Sequence, residues 1–279
     1  MGIPEQDKVK KDIKRVVDIF VHSEAAIRPH FMLTGPSGSG KSHLIKQLAE
    51  GADLAYYEIN AAQLTKEGTS GNSLSKALAP LIHNGSQLTI CFVDEFDKLF
   101  ISGNSNGDLA HEITNGVQNE FLRVLEATHT QVFGDYGKYI SVTVDNILFI
   151  FAGAFNGEPD LTVDRLRDFG IKTEFLGRVG LMFNLEKLSI ESMYVALQNS
   201  ALLTHYLELF PDVQRDNVET AVMQAVAKVH DKNTLGIRLL NTLLNQYFIN
   251  DGKLEQPEVK RSTFQTKLSF KAANIHHEE

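Results

Sequence analysis

Residues 35–42 read Gly35-Pro36-Ser37-Gly38-Ser39-Gly40-Lys41-Ser42, a glycine-rich run that closes on a lysine and a hydroxyl. Glycines at this spacing let a backbone wrap round a compact anion with successive N–H groups turned inward. Lys41 supplies a point charge for phosphate oxygens, and the Ser42 hydroxyl suits Mg2+. An apolar run, Phe31–Thr34, precedes the loop, and the helical pattern of Leu44, Ile45 and Leu48 follows it. That places the loop at a strand-to-helix turn, where the positive end of the helix faces the anion. The chemistry implied is binding of a nucleotide triphosphate, with residues from Gly35 to His43 in contact with it.

A second set lies further along. Ile90-Cys91-Phe92-Val93 is an apolar run that ends in Asp94 and Glu95. A carboxylate at a strand's C-terminal edge can hold Mg2+ through its water shell, the role expected of Asp94. Glu95 beside it is placed to polarise an attacking water. After a phosphate loop, this pair points to ATP hydrolysis with Mg2+, and to Lys41 and Glu95 as catalytic groups. A third apolar run, Ile147–Ala152, leads into Gly153-Ala154-Phe155-Asn156. Many such ATPases place a polar side chain here to hold the lytic water. Asn156 is the nearest polar residue, and the role stays unassigned.

These groups need a scaffold that gathers strand ends. The runs Phe31–Thr34, Leu54–Ile59, Leu88–Val93, Ile147–Ala152 and Leu181–Leu185 have the length of buried parallel strands. Between them, Ile113, Val117, Phe121, Val124 and Leu125 form one helix face. The pattern predicts an α/β domain over residues 1–187, a parallel sheet with helices on both sides. Beyond it the strands stop. Ser189 is a candidate helix cap with Glu191 in the first turn. Val218, Val222 and Val226, then Leu240, Leu244 and Phe248, form apolar stripes. Residues 188–250 therefore read as a small all-α lid domain. Asp251-Gly252 and Pro257 close its last helix. Residues 251–279 read as a polar, partly disordered extension, with His276 and His277 as solvated tail.

Bulk properties narrow the function classes. A chain of 279 residues suits one large domain plus a smaller one. No apolar run approaches the ~20 residues that cross a bilayer, and the first residues carry no signal sequence. The single cysteine, Cys91, excludes internal disulfides and a Cys-rich zinc site. These features point to the cytoplasm. The formal net charge of −8 argues against a broad nucleic-acid-binding face, which must be basic to displace counterions.

Longer blocks resemble the AAA+ module of the ClpX family, Clp/Hsp100-type unfoldases. They are Ile3-Pro-Glu-Gln, Gly35–Ser42, Asp94-Glu-Phe-Asp-Lys-Leu99, Gly116–Glu126, Ile147–Phe155, Phe169–Arg178 and Leu235-Gly-Ile-Arg238, in the family's order. The resemblance implies the P-loop NTPase fold of AAA+ proteins and a ring, most simply a homo-hexamer. It implies that Arg178 is an arginine finger that reaches the γ-phosphate held by a neighbouring subunit. It gives Arg238 the role of the lid arginine that touches the nucleotide in cis, and it puts Ile3 at the adenine.

The chain departs from that family at three places. It starts at the adenine-pocket segment, so a module without the family's zinc-binding N-terminal domain is expected. The stretch from Phe155 to Asp168 is too short for the family's peptidase-docking loop. The substrate-gripping loop, Gly-aromatic-Val-Gly in the family, is Gly68-Thr69-Ser70-Gly71 here. The expected function is ATP-driven remodelling of a protein or macromolecular assembly, with an unknown protein substrate or adaptor and no ClpP-type peptidase. Two alternatives remain: a nucleic-acid loader or motor, and a nucleotide-gated scaffold. The scaffold would be marked by loss of Glu95 or Arg178, and both are present.

Overall fold

A computed structural model describes residues 4–66, 72–100, 108–134 and 137–254. The chain opens with helix α1 (Pro4–His22), then strand β1 (Phe31–Thr34), helix α2 (Lys41–Gly51) and strand β2 (Ala55–Asn60). A short helix α3 (Leu74–Ala77) leads to β3 (Thr89–Asp94), and α4 (Asp108–Glu126) to the pair β4 (His129–Phe133) and β5 (Tyr139–Thr143). Strand β6 (Ile147–Gly153), helices α5 (Val163–Asp168) and α6 (Thr173–Arg178), and strand β7 (Leu181–Asn184) complete the α/β part. Helices α7 (Ile190–Gln198), α8 (Ala201–Leu209), α9 (Arg215–Val229) and α10 (Arg238–Ile249) follow.

Five strands form one sheet in the order β2-β3-β6-β1-β7, with every pair parallel. The central strands are buried throughout because helices cover both faces, so they read as continuous apolar runs. Their side chains alternate between two cores. Phe31, Leu33, Ile90, Phe92, Leu148 and Ile150 pack with Ile13 and Phe20 of α1 and with Leu44, Ile45 and Leu48 of α2. Met32, Cys91, Val93, Phe149 and Phe151 face the other way, onto Phe121 of α4, Leu166 and Phe175. Phe151 lies 4.9 Å from both Phe96 and Phe175, ring centre to ring centre. Such apposed rings hold the end of β6 against the turn after β3.

The last four helices share a third core, in which Met193, Leu197, Val218, Val222, Val226, Leu240, Leu244 and Phe248 pack together. Ser189 caps α7 by accepting from Ser192 N, and Glu191 sits in that first turn. Gly252 N donates to Tyr247 O at 2.8 Å and ends α10, with Asp251 and Gly252 both at positive φ.

Strand limits differ from expectation by a residue or so: β2 runs through Asn60, and β3 starts at Thr89 and ends on Asp94. The β4–β5 hairpin was not expected. Its strands are short and only Val132 and Val142 are buried, so its apolar pattern is weak in sequence. Ile3, Thr69, Ser70, His276 and His277 lie outside the described residues. Among the described residues, no helix is long and apolar enough to cross a membrane, and no cluster of His, Cys, Asp or Glu forms a metal site of three or more ligands.

Candidate functional site

The C-terminal ends of β1 and β3 carry the two acting segments to one edge of the sheet, where ligands of open α/β folds bind. Between β1 and α2 the loop holds Gly35, Gly38 and Gly40 at φ of 146°, 71° and 89°. These backbone angles disfavour residues with a Cβ. Gly35 also has Leu185 O where a Cβ would stand, at 2.6 Å.

A cavity of about 310 Å³ lies against this loop. Ser37, Gly38, Gly40, Lys41, Ser42 and His43 line one side, and Asp94 and Glu95 line the other. Asp97, Lys98, Gly153, Ala154 and, from the start of α10, Ile237 and Arg238 complete the wall. Lys41 Nζ donates to Gly35 O at 2.7 Å and Pro36 O at 3.0 Å. Burial lowers its pKa; Asp94 and Asp97 oppose that shift, and Arg238 adds to it. The Ser42 hydroxyl donates to Asp94 Oδ2 at 3.2 Å. The two oxygens that sequence assigns to Mg2+ are thus neighbours, and hydroxyl with carboxylate is a donor set for a hard cation.

Glu95 sits at φ 54°, a left-handed conformation unusual for a glutamate, and its N–H donates to Asp94 Oδ1 at 2.8 Å. Its carboxylate accepts from Asn60 Nδ2 at 3.1 Å. Asn60 stands in register with Asp94 on the adjacent strand. Sequence reading ended that strand at Ile59 and missed it. A polar residue closing a strand beside the acidic one was the available signal.

Asp97 was also missed. It is 1% exposed, and its Oδ2 accepts from Phe155 N at 3.2 Å, which fastens the turn after β3 to the turn after β6. Phe155 and Asn156 both take positive φ there, and the Asn156 side chain is exposed and is not part of the cavity wall.

A second cavity, of about 500 Å³, adjoins the first and shares Gly40, His43 and Ile237 with it. Its wall is more apolar, with Leu44, Leu188, Val195 and Leu240, and Gln6 of α1 at its edge. Gln6 Nε2 donates to Ser39 O, and Ser39 Oγ is buried with no hydrogen-bond partner. A polar chamber at a glycine cradle beside an apolar one matches the phosphates and the base of a nucleotide. The residues present fit ATP with Mg2+.

Arg238 reaches the loop from the first turn of α10: its Nη1 donates to Ser37 Oγ at 3.3 Å. Arg178 does not reach it. It ends α6, pairs with Glu126 and donates to Glu174 O at 3.3 Å, half exposed and apart from the cavity wall.

Comparison with known proteins agrees with this geometry. Relatives include ClpX 2 of Wolinella succinogenes, an ATP-binding subunit of the ATP-dependent Clp protease, 29% identical over 258 residues. That match covers 78% of this chain and 64% of the relative. The ClpX proteins of Treponema denticola and Borrelia duttonii are each 26% identical over 299 residues. Those matches cover 88% and 89% of this chain and 71% and 68% of the relatives. The chain thus spans about two thirds of the length of these curated relatives and is a ClpX-like AAA+ ATPase module. Residues 31–175, which hold the glycine loop, the acidic strand end and β6, match a single family description, and the chain belongs to the ATPase family associated with various cellular activities (AAA).

Proposed function

We propose that the chain hydrolyses ATP and uses the energy to remodel a protein or macromolecular assembly in the cytoplasm, without a ClpP-type peptidase. The observation that carries this is the convergence of Lys41, Ser42, Asp94, Glu95 and Arg238 on one polar cavity. In this reading the 35–42 backbone cradles the phosphates and Lys41 offsets charge on the transferred phosphoryl group. Ser42 and Asp94 would hold Mg2+, which would neutralise phosphate charge. Glu95 takes the proton from the attacking water. Arg238 senses the nucleotide from its own lid, residues 188–250, which moves against the ATPase unit of residues 1–187. Arg178 acts on the nucleotide of the next subunit in a homo-hexameric ring, whose head-to-tail contacts close on themselves.

Independence from a peptidase is supported by two segments. Between Phe155 and Asp168 there is one tight turn and helix α5, which leaves no long docking loop. Thr69 and Ser70 stand where the ClpX family carries an aromatic grip, and their hydroxyls bond water as readily as a passing chain. The test is ATP-dependent unfolding of a tagged fluorescent domain, with and without a ClpP-type peptidase, alongside ATP turnover. Turnover without unfolding or stimulated proteolysis is expected. Rapid loss of fluorescence by the protein alone would overturn the proposal.

A further inference from the structure

Two glycines far apart in the chain meet at the phosphate loop. Gly38 has φ 71° and Gly236, in the turn that enters α10, has φ 56°. A Cβ on Gly38 would stand 2.1 Å from Leu235 O, and one on Gly236 would stand 2.5 Å from Gly38 O and 2.7 Å from Ser37 O. Backbone therefore packs directly on backbone, and both positions require glycine. Across this contact Ile237 N donates to Gly38 O at 3.0 Å. The lid turn is itself held by Asn233, whose Oδ1 accepts from Leu235 N at 2.8 Å and whose Nδ2 donates to Gly236 O at 3.2 Å.

A loop with glycine at 35, 38 and 40 has peptides that turn over easily, since glycine adopts either sign of φ at little cost. Here two successive carbonyls are held from outside it: Gly38 O by Ile237 of the lid, and Ser39 O by Gln6 of α1. A trans peptide points its N–H opposite to its C=O. Fixing the Gly38 carbonyl toward the lid therefore turns the Ser39 N–H into the loop, where it donates to Pro36 O at 3.2 Å.

We propose that Gly236 and Ile237 form a backbone latch that holds the peptide 38–39 and so orients the phosphate loop for phosphate binding. The inference rests on reading the cavity as an ATP site. Gly236 and Ile237 are positioning residues here; they act through the loop.

The test uses Gly236→Ala, which intrudes on the contact, and Ile237→Pro, which deletes the N–H at a φ of −62° that proline adopts. Gly51→Ala, where a Cβ meets nothing within 4 Å, is the control, and Lys41→Ala the reference for loss of the site. Binding of ADP and of adenosine, each with Mg2+, is measured by calorimetry, and native melting is checked for every variant. Loss of one hydrogen bond's worth of orientation predicts about tenfold weaker ADP binding in both latch variants. Adenosine affinity should be unchanged in Gly236→Ala, because adenosine has no phosphate for the loop to hold and Gly236 lines neither cavity. Unaltered ADP affinity in Ile237→Pro, or equal losses for ADP and adenosine in Gly236→Ala, would overturn the latch. Full ADP affinity in Lys41→Ala would instead overturn the reading of the site beneath it.

Discussion

Asn60 Nδ2 donates to one carboxylate oxygen of Glu95 at 3.1 Å, from the neighbouring position on the adjacent strand. Glu95 sits in a left-handed backbone conformation, and the hydrogen bond from Asn60 ties its carboxylate to the adjacent strand. A general base acts only when held within reach of the proton that it takes. Asn60→Ala is expected to lower kcat by roughly three- to tenfold while ATP affinity stays the same. Steady-state kinetics and equilibrium binding check this together. Weakened binding with unchanged kcat would show that Asn60 serves the loop rather than the acid.

His30 predicts how stability depends on pH. It is buried, Nδ1 accepts from Phe149 N at 3.1 Å, and burial, assisted by Arg28, lowers its pKa from 6.5 to about 4. The folded state therefore holds a neutral ring, and protons bind the unfolded chain first. This contribution is intact above pH 6.5 and is lost as pH falls from 6.5 to about 4. Over that window it amounts to about 3 kcal/mol. His30→Asn keeps an acceptor that does not titrate, so its stability should fall less steeply in the same window. Denaturant melts at several pH values make the comparison, and parallel curves would contradict it.

Arg178 is tied to Glu126 on its own subunit and lies apart from its own cavity, so its proposed action requires a neighbour. Specific ATPase activity should then rise with protein concentration. Mixtures of Arg178→Ala and Lys41→Ala subunits should regain part of it, because some interfaces join an intact arginine to an intact loop. Turnover that is independent of concentration, from a species of monomeric mass in ATP, would exclude action in trans.

Much of this site was legible in sequence because its signals are local. The glycines of residues 35–40, Lys41 and Ser42 are contiguous, and Asp94 and Glu95 end an apolar run, so spacing alone singles them out as candidates. The parallel sheet was legible because strands covered on both faces must be apolar throughout, as Ile147–Gly153 is. What escaped depends on register and on long-range contact. Asn60 matters only because β2 aligns it with Asp94, and Asp97 because its carboxylate meets Phe155 N, 58 residues away. Gly236 looks like any turn glycine until the fold sets its backbone against Gly38. The β4–β5 hairpin was missed because only one side chain of each strand, Val132 and Val142, is buried.

The central claim is that Glu95 activates water in a site where Lys41 and the glycine loop hold the nucleotide. Single-turnover hydrolysis and equilibrium binding of Mg·ATP to Glu95→Gln test it most directly. The amide keeps the size of the side chain and can still meet Asn60, but it cannot accept the water's proton. Binding is expected to remain within a few-fold of the parent chain, with hydrolysis slower by at least roughly tens of times. Hydrolysis by Glu95→Gln at the parent rate would contradict the account.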